Sequence, residues 1–209
     1  SALRLGGGMP RDVDLGFAGG QPFLLWSGVG MDAFVIHRIE PRQPWEKHFS
    51  IVAYAASSVW HAQFWRGINL KVKADGTELE GHYLAAIISN VSLYAGGLAR
   101  LSPHALLDDG LLDLWLLEGD TLGDAIQPAW DMLAGRHSES QAIHCIPFHH
   151  LELESDMPLF VQVDAEPVEY QERSIVIDVV PKALRVLVPD RLPRMLFVDD
   201  AHQQTDSRR

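Results

Sequence analysis

The stretch INLKVKADGTELEG, residues 68–81, carries the clearest structural signal in the chain. Apolar and polar residues alternate on both sides of Asp75-Gly76, as in two strands that each bury one face. Asp-Gly favours a tight turn, because glycine reaches a positive φ at no steric cost and aspartate bonds to nearby backbone. The stretch therefore predicts a β-hairpin.

More strands are predicted on both sides of this hairpin. The run YLAAIISNVS, residues 83–92, is largely apolar and has the length of a strand buried on both faces. Evenly spaced short strands indicate an antiparallel sandwich or barrel. The other predicted strand segments are FLLWSGVGMDAFV (23–35), LLDLWLLEG (111–119), AIHCIPF (142–148), HLELES (150–155), LFVQVDAEP (159–167), SIVIDVV (174–180) and ALRVLVP (183–189).

Two helices are predicted among these strands. The first covers about Trp45 to Phe64, and the second about Thr121 to Leu133, with Asp120 as its N-cap and Gly135 as its stop. Strands outnumber helices and do not alternate with them, which argues against a doubly wound nucleotide-binding sheet. The expected fold is mainly β (α+β): an antiparallel β-sandwich with two or three helices.

Composition excludes some classes of function. The 209 residues include 28 acidic and 17 basic side chains, so the formal net charge of −11 argues against a general nucleic-acid binder. The single cysteine, Cys145, cannot form an internal disulfide, which fits a reducing cytosol. No apolar run reaches the ~20 residues of a membrane-spanning helix, and no signal-peptide pattern is visible, so a cytoplasmic protein is expected.

Two acidic segments are candidate sites. In PHALLDDGLLDLWLL, residues 103–117, Asp108-Asp109-Gly110 is either a plain polar turn or a turn that holds a ligand. In LFVQVDAEPVEY, residues 159–170, strand alternation puts Asp164 and Glu166 on one side unless a turn at Pro167 rotates them. That pair is either a general base with a helper or a solvated strand end.

Two further segments have competing interpretations. Aromatic residues with nearby cations between residues 42 and 66 suit either a membrane interface or a helix that packs on the core; they are Trp45, Trp60, Phe64 and Trp65 with Arg42, Lys47, His61 and Arg66. The segment HCIPFHH contains His144, Cys145, His149 and His150. Its spacing fits no standard zinc pattern, and a strand would send its adjacent histidines to opposite faces.

The sequence lacks a phosphate-binding loop. LRLGGGMP, residues 3–10, is glycine-rich, but no strand precedes it, and neither GxGxxG nor GxxxxGK[ST] is present. Any ATP site is therefore expected to lie mostly outside these residues.

Four segments in order resemble the second domain of the diacylglycerol kinase catalytic family, which includes bacterial diacylglycerol and lipid kinases and the sphingosine and ceramide kinases. They are FLLWSGVGMDAFV, NVSLYAGGLARLSPHALLDDGLLDLWLLEG, VDAEP and VVPKALRVLVP, within about Val13–Pro189. The resemblance implies a two-domain enzyme whose N-terminal ATP-binding domain, with a GGDGT motif, is absent from this chain. Residues 1–12 would be the remnant of the interdomain linker, 13–190 the β-sandwich, and 191–209 a polar, disordered tail.

The resemblance also implies roles for individual residues. The Leu106 carbonyl, the Asp109 carboxylate and the Leu111 carbonyl would bind Mg²⁺, and hard oxygen ligands suit that ion. Glu166 would be the general base and Asp164 its helper. The family pattern there is Asp-Gly-Glu-Pro, whereas this chain has Ala165, which cannot easily adopt a positive φ.

The expected function is the C-terminal, lipid-recognising and catalytic half of a kinase that transfers phosphate from ATP to a lipid hydroxyl of diacylglycerol or sphingoid type. Its expected partners are the lipid, a membrane surface and the N-terminal domain, with no nucleic acid; monomer and homodimer both stay open. The alternative is a non-catalytic lipid-binding or regulatory module with the same fold. NAD kinase is a more distant alternative, and the aromatic region argues against it.

Overall fold

The computed structural model of the chain describes residues 8–39, 60–94, 99–133, 143–189 and 196–198. Within these ranges the strands and the two helices with defined bounds are β1 Met9–Ala18, β2 Gln21–Phe23, β3 Trp26–Gly30, α1 Met31–Ile39, β4 Ile68–Ala74, β5 Thr77–Ser89, β6 Leu93–Tyr94, β7 Ala99–Arg100, β8 Leu112–Glu118, α2 Ile126–Leu133, β9 Ile143–Phe148, β10 His150–Ser155, β11 Val161–Val163, β12 Glu166–Val168 and β13 Ser174–Val188.

Eleven of these strands form one sheet in which neighbouring strands are antiparallel, while β6 pairs with β7 separately. The strand order is β12-β11-β3-β5-β4-β10-β13-β1-β2, and β8 joins β5 to β9. The first half of β5 pairs with β4, and its second half pairs with both β3 and β8, so the sheet branches at β5 and curls. The predicted mainly β, antiparallel fold class is confirmed.

The hairpin predicted from residues 68–81 is confirmed. β4 and β5 are joined by Asp75 and Gly76 alone, with φ of 44° and 91°, the pair of positive angles that a type I′ turn requires. Alternate residues of β4 are buried, as the sequence pattern predicted. Residues 83–90 of the following run are all buried, as expected for a strand covered on both faces, and β5 is paired there on both edges.

The core is formed by aliphatic side chains that converge from several strands of the curled sheet. Burying one such side chain contributes about 1.5–3 kcal/mol, so this cluster is a major source of stability. Fully buried members of the cluster include Leu84, Ile88, Leu114, Leu116, Phe148, Leu151 and Ile177.

The segment FLLWSGVGMDAFV differs from the expected single strand. β3 ends at Gly30, whose φ of 96° breaks the extended backbone, and α1 begins at the next residue. Asp32 lies in the first turn of α1, and His37 and Arg38 lie in the last, which suits the helix dipole. The periodicity of residues 23–35 did not reveal α1, because so short an apolar run is compatible with both a strand and a helix.

The two strands predicted at 174–180 and 183–189 form one strand, β13. Its pairing with β1 shifts register, so that Asp14 alone lies opposite the three residues 181–183, and Lys182 has a φ of 53°. This is a β-bulge, which lets two predicted strands continue as one. β1 begins at Met9, so residues 9–12 pair in the sheet, although the domain was predicted to start at Val13.

The helix predictions are corrected in part. α2 begins at Ile126 rather than near Thr121, because residues 121–125 form turns in which the Asp124 carboxylate accepts the N–H groups of Asp120 and Thr121. The first predicted helix and Gly135 lie largely outside the described residues; residues 60–62 are helical. Among the described residues, no helix is long and apolar enough to span a membrane.

Candidate functional site

The acidic turn lies in the loop that precedes β8, and its two aspartates have different contacts. The Asp108 carboxylate accepts the N–H of Val198 at 2.8 Å, so it holds residues 196–198 against the loop. Asp109 is exposed, and one of its oxygens accepts the N–H of Leu111 at 3.0 Å. Asp108 therefore has a structural contact, whereas the exposed Asp109 is available to a ligand.

Asp14 is the residue of this loop region that sequence reasoning missed. It is fully buried, its Oδ2 accepts the N–H of Gly110 at 2.7 Å, and its Oδ1 accepts that of Lys182 at 2.7 Å. Its own N–H donates to the Leu107 carbonyl at 2.7 Å. Asp14 thus ties the acidic loop to the bulge of β13. Sequence reasoning missed this residue because its side-chain partners, Gly110 and Lys182, lie in distant segments of the chain.

A cavity of about 780 Å³ lies beside the acidic loop. Partial desolvation beside the cavity raises the pKa of Asp109 although the residue is exposed; the hydrogen bond from Leu111 opposes the shift, and the negative charges of Asp14 and Asp113 add to it. Burial also raises the pKa of Asp113, although a hydrogen bond from Ser102 opposes the shift. This corner of the molecule therefore concentrates negative charge that a cation would stabilise. The cavity is lined by Ser89, Pro103, His104, Ala105, Asp109, Leu111, Asp113, Trp115, Ile143, Cys145 and Pro147.

Cys145 and the nearby histidines do not form a joint site. Partial desolvation and the charge of Asp113 raise the pKa of the Cys145 thiol to about 12, which keeps it protonated and unreactive. The three histidines bond to separate carboxylates: His144 to Glu118, His149 to Asp75, and His150 to Asp178. Within the described ranges, no three side chains of His, Cys, Asp or Glu gather as metal ligands.

The second acidic segment forms the turn between β11 and β12. Asp164 and Ala165 are its two central residues, with φ of 47° and 69°, and Val163 pairs with Glu166. The Asp164 carboxylate accepts three backbone N–H groups, at 2.8, 2.8 and 3.1 Å, from Leu24, Leu25 and Trp26. Glu166 is exposed at the start of β12. The turn thus lies before Glu166 rather than at Pro167, and Asp164 anchors the turn to the β2–β3 connection.

Ala165 adopts the left-handed conformation that glycine would adopt more easily. Its N–H donates to Gln162 Oε1 at 2.9 Å, a bond that helps to hold this conformation. A left-handed φ costs a non-glycine residue about 1–2 kcal/mol. The backbone geometry of the turn is therefore retained without the glycine, with some strain.

Gln162 joins this turn to α1. The residue is fully buried, and its Nε2 donates to Asp32 Oδ2 at 2.8 Å while its Oε1 accepts the N–H of Ala165. A Cβ at Gly28 would overlap the Asp32 carboxylate and lie 2.8 Å from Gln162 Nε2, so only glycine fits beneath this bond. The sequence offered no periodic signal for Asp32 or Gln162, because their partners come from distant segments.

The aromatic region divides between the two interpretations left open by its sequence. Trp65 is buried and packs against Phe34 and Phe160, with ring centroids 5.2 and 6.0 Å away, as a core residue does. Trp60 and Phe64 are 63% and 57% exposed and contact each other. Trp45, Arg42 and Lys47 lie outside the described residues.

Comparisons with known proteins agree on one family. A Pseudomonas aeruginosa (strain UCBPP-PA14) protein named "Probable lipid kinase YegS-like" is 30% identical over 193 residues, which cover 92% of this chain and 62% of that protein. A protein of the same name from Stenotrophomonas maltophilia (strain K279a) is 38% identical, and the match covers 54% of this chain and 36% of that protein. The "Diacylglycerol kinase" of Bacillus subtilis (strain 168) is 24% identical over 65% of this chain and 44% of that protein.

Solved structures share the fold. The crystal structure of a diacylglycerol kinase from Bacillus anthracis str. Sterne has a TM-score of 0.58 at 18% identity, and the match covers 87% of this chain and 55% of that one. A second structure from the same organism has a TM-score of 0.65 at 19% identity, covering 88% and 59%. The chain spans about half the length of the relatives it matches.

The match to a family model covers both acidic turns. Residues 27–188 match the family described as the YegS C-terminal NAD kinase beta sandwich-like domain, and the chain belongs to that family.

Proposed function

We propose that this chain is the C-terminal, lipid-recognising and catalytic half of an ATP-dependent lipid kinase. The observation that carries the proposal is the exposed Glu166 on a turn whose backbone is held by Asp164 and Gln162. A carboxylate on a fixed turn can accept a proton from a bound hydroxyl. The names of the relatives, lipid kinase and diacylglycerol kinase, agree with this chemistry.

The proposed reaction is phosphoryl transfer to a lipid hydroxyl of diacylglycerol or sphingoid type. Glu166 takes the hydroxyl proton while the lipid oxygen bonds to the γ-phosphorus of ATP; the bond from that phosphorus to the β,γ-bridging oxygen breaks, and ADP leaves. Positioning and electrostatic stabilisation supply most of the rate enhancement in such transfers. ATP would be held mainly by a separate N-terminal nucleotide-binding domain. Asp164 would assist by positioning the turn, since its oxygens are bonded to backbone.

A structural Mg²⁺ site at the acidic loop is part of the proposal. The Asp109 carboxylate with the carbonyls of Leu106 and Leu111 would hold the ion. The donor set fits, because these are hard oxygen ligands and the neighbouring Asp14 and Asp113 leave excess negative charge at Asp109. When bound, the ion would neutralise this charge and fix the loop; the Leu107 carbonyl already accepts the Asp14 N–H.

Peripheral contact with a membrane would bring the lipid to the site. Trp60 and Phe64, and on α2 Ile126 and Trp130, are 57% to 69% exposed apolar side chains. Exposed aromatic residues of this kind bind at the boundary between headgroups and acyl chains. The same residues would serve a non-catalytic lipid-binding module, so activity has to decide between the two functions.

The deciding experiment measures lipid phosphorylation with labelled ATP and a panel of lipid alcohols. An enzyme that contains this chain and a nucleotide-binding domain is expected to phosphorylate at least one of them, while residues 1–209 alone are expected to be inactive. Activity of residues 1–209 alone would refute the assignment of ATP binding to a separate domain. A complete protein that binds lipid but phosphorylates none would favour the non-catalytic module.

The Glu166→Gln variant tests the general base. Glutamine keeps the size and an acceptor oxygen of glutamate but cannot take a proton at neutral pH. We expect kcat to fall by about 10²–10⁴-fold in the complete enzyme, with little change in the KM for ATP. Asp164→Asn should lower kcat less. Near-wild-type kcat in Glu166→Gln would mean that another residue is the base.

A further inference from the structure

Asn90, the residue after β5, lies between the two acidic turns. It is 1% exposed, and its Nδ2 donates to the carbonyls of Asp14 and Leu24 at 3.0 and 2.9 Å. Its backbone N–H donates to the Leu25 carbonyl at 2.9 Å. One buried side chain thus joins β1 to the β2–β3 connection.

Each partner of Asn90 leads to one of the turns. The N–H groups of Leu24 and Leu25 donate to the Asp164 carboxylate, at the turn that carries Glu166. On the other side, Asp14 bonds to the acidic loop through Leu107 and Gly110, which flank the pair Asp108-Asp109. Hydrogen bonds, together with the backbone of Asp14, Leu24 and Leu25, therefore connect one turn to the other through Asn90.

The side chain of Asn90 is chemically suited to connect the two acidic turns. Both partners of its side chain are carbonyl oxygens, so the position requires a donor with two hydrogens. The remaining atom, Oδ1, is the one buried side-chain polar atom in the described part of the chain that has no hydrogen-bond partner. A buried acceptor without a protein partner costs stability, and the two hydrogen bonds that Nδ2 donates act against that cost.

We propose that Asn90 is a positioning residue that fixes the acidic loop and the Glu166 turn relative to each other. It acts through the backbones of Asp14 and of Leu24 and Leu25, and it touches neither a substrate nor the reacting atoms. The hydrogen-bonded connection stands on geometry alone, while its effect on turnover rests on the proposed kinase function.

Amide hydrogen exchange tests the connection without substrate or metal. In Asn90→Ala we expect the amides of Leu24, Leu25 and Gly110 to exchange about three- to tenfold faster, as expected for the loss of about one hydrogen bond. Amides of the hairpin at 71–80 should be unchanged. The matched control is Asn69→Ala, since Asn69 is exposed and bonds to Asp156 and His82, outside this network. Faster exchange at one turn only, or uniformly along the chain, would overturn the proposal.

A double-mutant cycle separates positioning from general loosening. Asp164→Asn should speed exchange of the Gly110 amide in the wild-type background and have no further effect in the Asn90→Ala background. Additive effects would contradict the proposed role. The isosteric Asn90→Asp, which places an acceptor against two carbonyls, should match or exceed Asn90→Ala; if it does not fold, the cycle still decides.

Kinetics then connects the positioning to catalysis. In the complete enzyme, Asn90→Ala should lower kcat about tenfold while the KM for ATP stays unchanged, because only the relative placement of catalytic groups is lost. An equal loss in both parameters, or none, would overturn the positioning role. If the complete protein has no kinase activity while the exchange results hold, the proposed function fails and the structural connection stands.

Discussion

Two adjacent aspartates in one turn show how much the role of a residue depends on its contacts. Asp108 binds the backbone of Val198, whereas the Asp109 carboxylate lies beside a cavity that Asp113 also lines. A third acid, the buried Asp14, holds the backbone next to Asp109 by accepting the Gly110 N–H. The same turn can therefore have a structural role and a ligand-binding role. Asp108 and Asp14 make the backbone contacts, and Asp109 is the residue available to a ligand.

Asp109→Ala tests the metal site at this scale. Partial desolvation and neighbouring acids raise the pKa of Asp109, so its ionised form opposes folding at neutral pH when no cation is bound. We expect the variant to be no less stable than wild type without Mg²⁺ and to lose any increase in Tm that Mg²⁺ gives the wild type. Asp108→Ala is the control, since its loss should lower Tm equally with and without the ion. Equal responses of wild type and Asp109→Ala to Mg²⁺ would return the loop to the plain-turn interpretation.

Ala165→Gly tests the strain in the other turn. Glycine relieves a left-handed φ that costs about 1–2 kcal/mol, and its greater freedom in the unfolded chain offsets about 0.4–1 kcal/mol of that gain. The net expectation is stabilisation by about 0.5–1 kcal/mol, measured by urea unfolding. Ala183→Gly is the control, because Ala183 is exposed and is not among the residues with a positive φ, so glycine should destabilise there. Loss of stability in Ala165→Gly would contradict the strain.

At the scale of secondary structure, the bulge of β13 has the widest consequences. It lets one strand pair with β1 on both sides of Asp14 and turns the Lys182 N–H toward the Asp14 carboxylate. Asp14 lies on the same face of β1 as Gly16 and Ala18, which are buried as well. The bulge in β13 thus supplies a backbone N–H to a buried acid that also holds the acidic loop.

A cross-strand pair on β10 and β13 predicts a pH dependence. Hydrogen bonds to Asp178 and then to Glu152 raise the pKa of the His150 side chain above its ordinary value of 6.5. The pair therefore stabilises the fold fully below the unfolded pKa, and this contribution is lost as pH rises through the higher folded pKa. Because the groups are exposed, the effect should lie within about 0.2–1 kcal/mol.

The measurement compares urea unfolding of wild type and His150→Gln at pH 6 and pH 9. The variant should be less stable than wild type at the lower pH, and the difference should shrink at the higher pH. A difference that grows with pH would contradict the assigned direction of the shift.

For the whole molecule, residues 196–198 are joined to the start of the domain through the acidic loop. Phe197 is fully buried, with the Arg11 guanidinium 5.0 Å from the centre of its ring, and the Leu196 carbonyl accepts the Leu107 N–H. These residues fall in the segment 191–209 for which a disordered tail was predicted, so that prediction does not hold for them. The segment closes over the same loop that Asp14 holds from the other side.

Phe197→Ala tests this closure. Truncating a buried phenylalanine typically costs about 3–5 kcal/mol, so urea unfolding should show a loss of roughly that size. Leu187→Ala is the matched control, because Leu187 is 57% exposed and should cost far less. Similar losses in the two variants would mean that Phe197 does not contribute to the core in solution.

The sequence by itself determined the hairpin at Asp75-Gly76, the doubly buried run after it and the mainly β class, because strand period and turn chemistry depend on neighbours a few residues away. The order of four motifs pointed to the family, and with it to Asp109 and Glu166. Only the tertiary structure decided the places of Asp14, Asn90 and Gln162. Their partners lie far away in the chain: Lys182 is 168 positions from Asp14, and Gln162 is 130 positions from Asp32. A hydrogen bond between residues so far apart produces no periodic pattern in the sequence, since it forms only when the sheet brings the strands together.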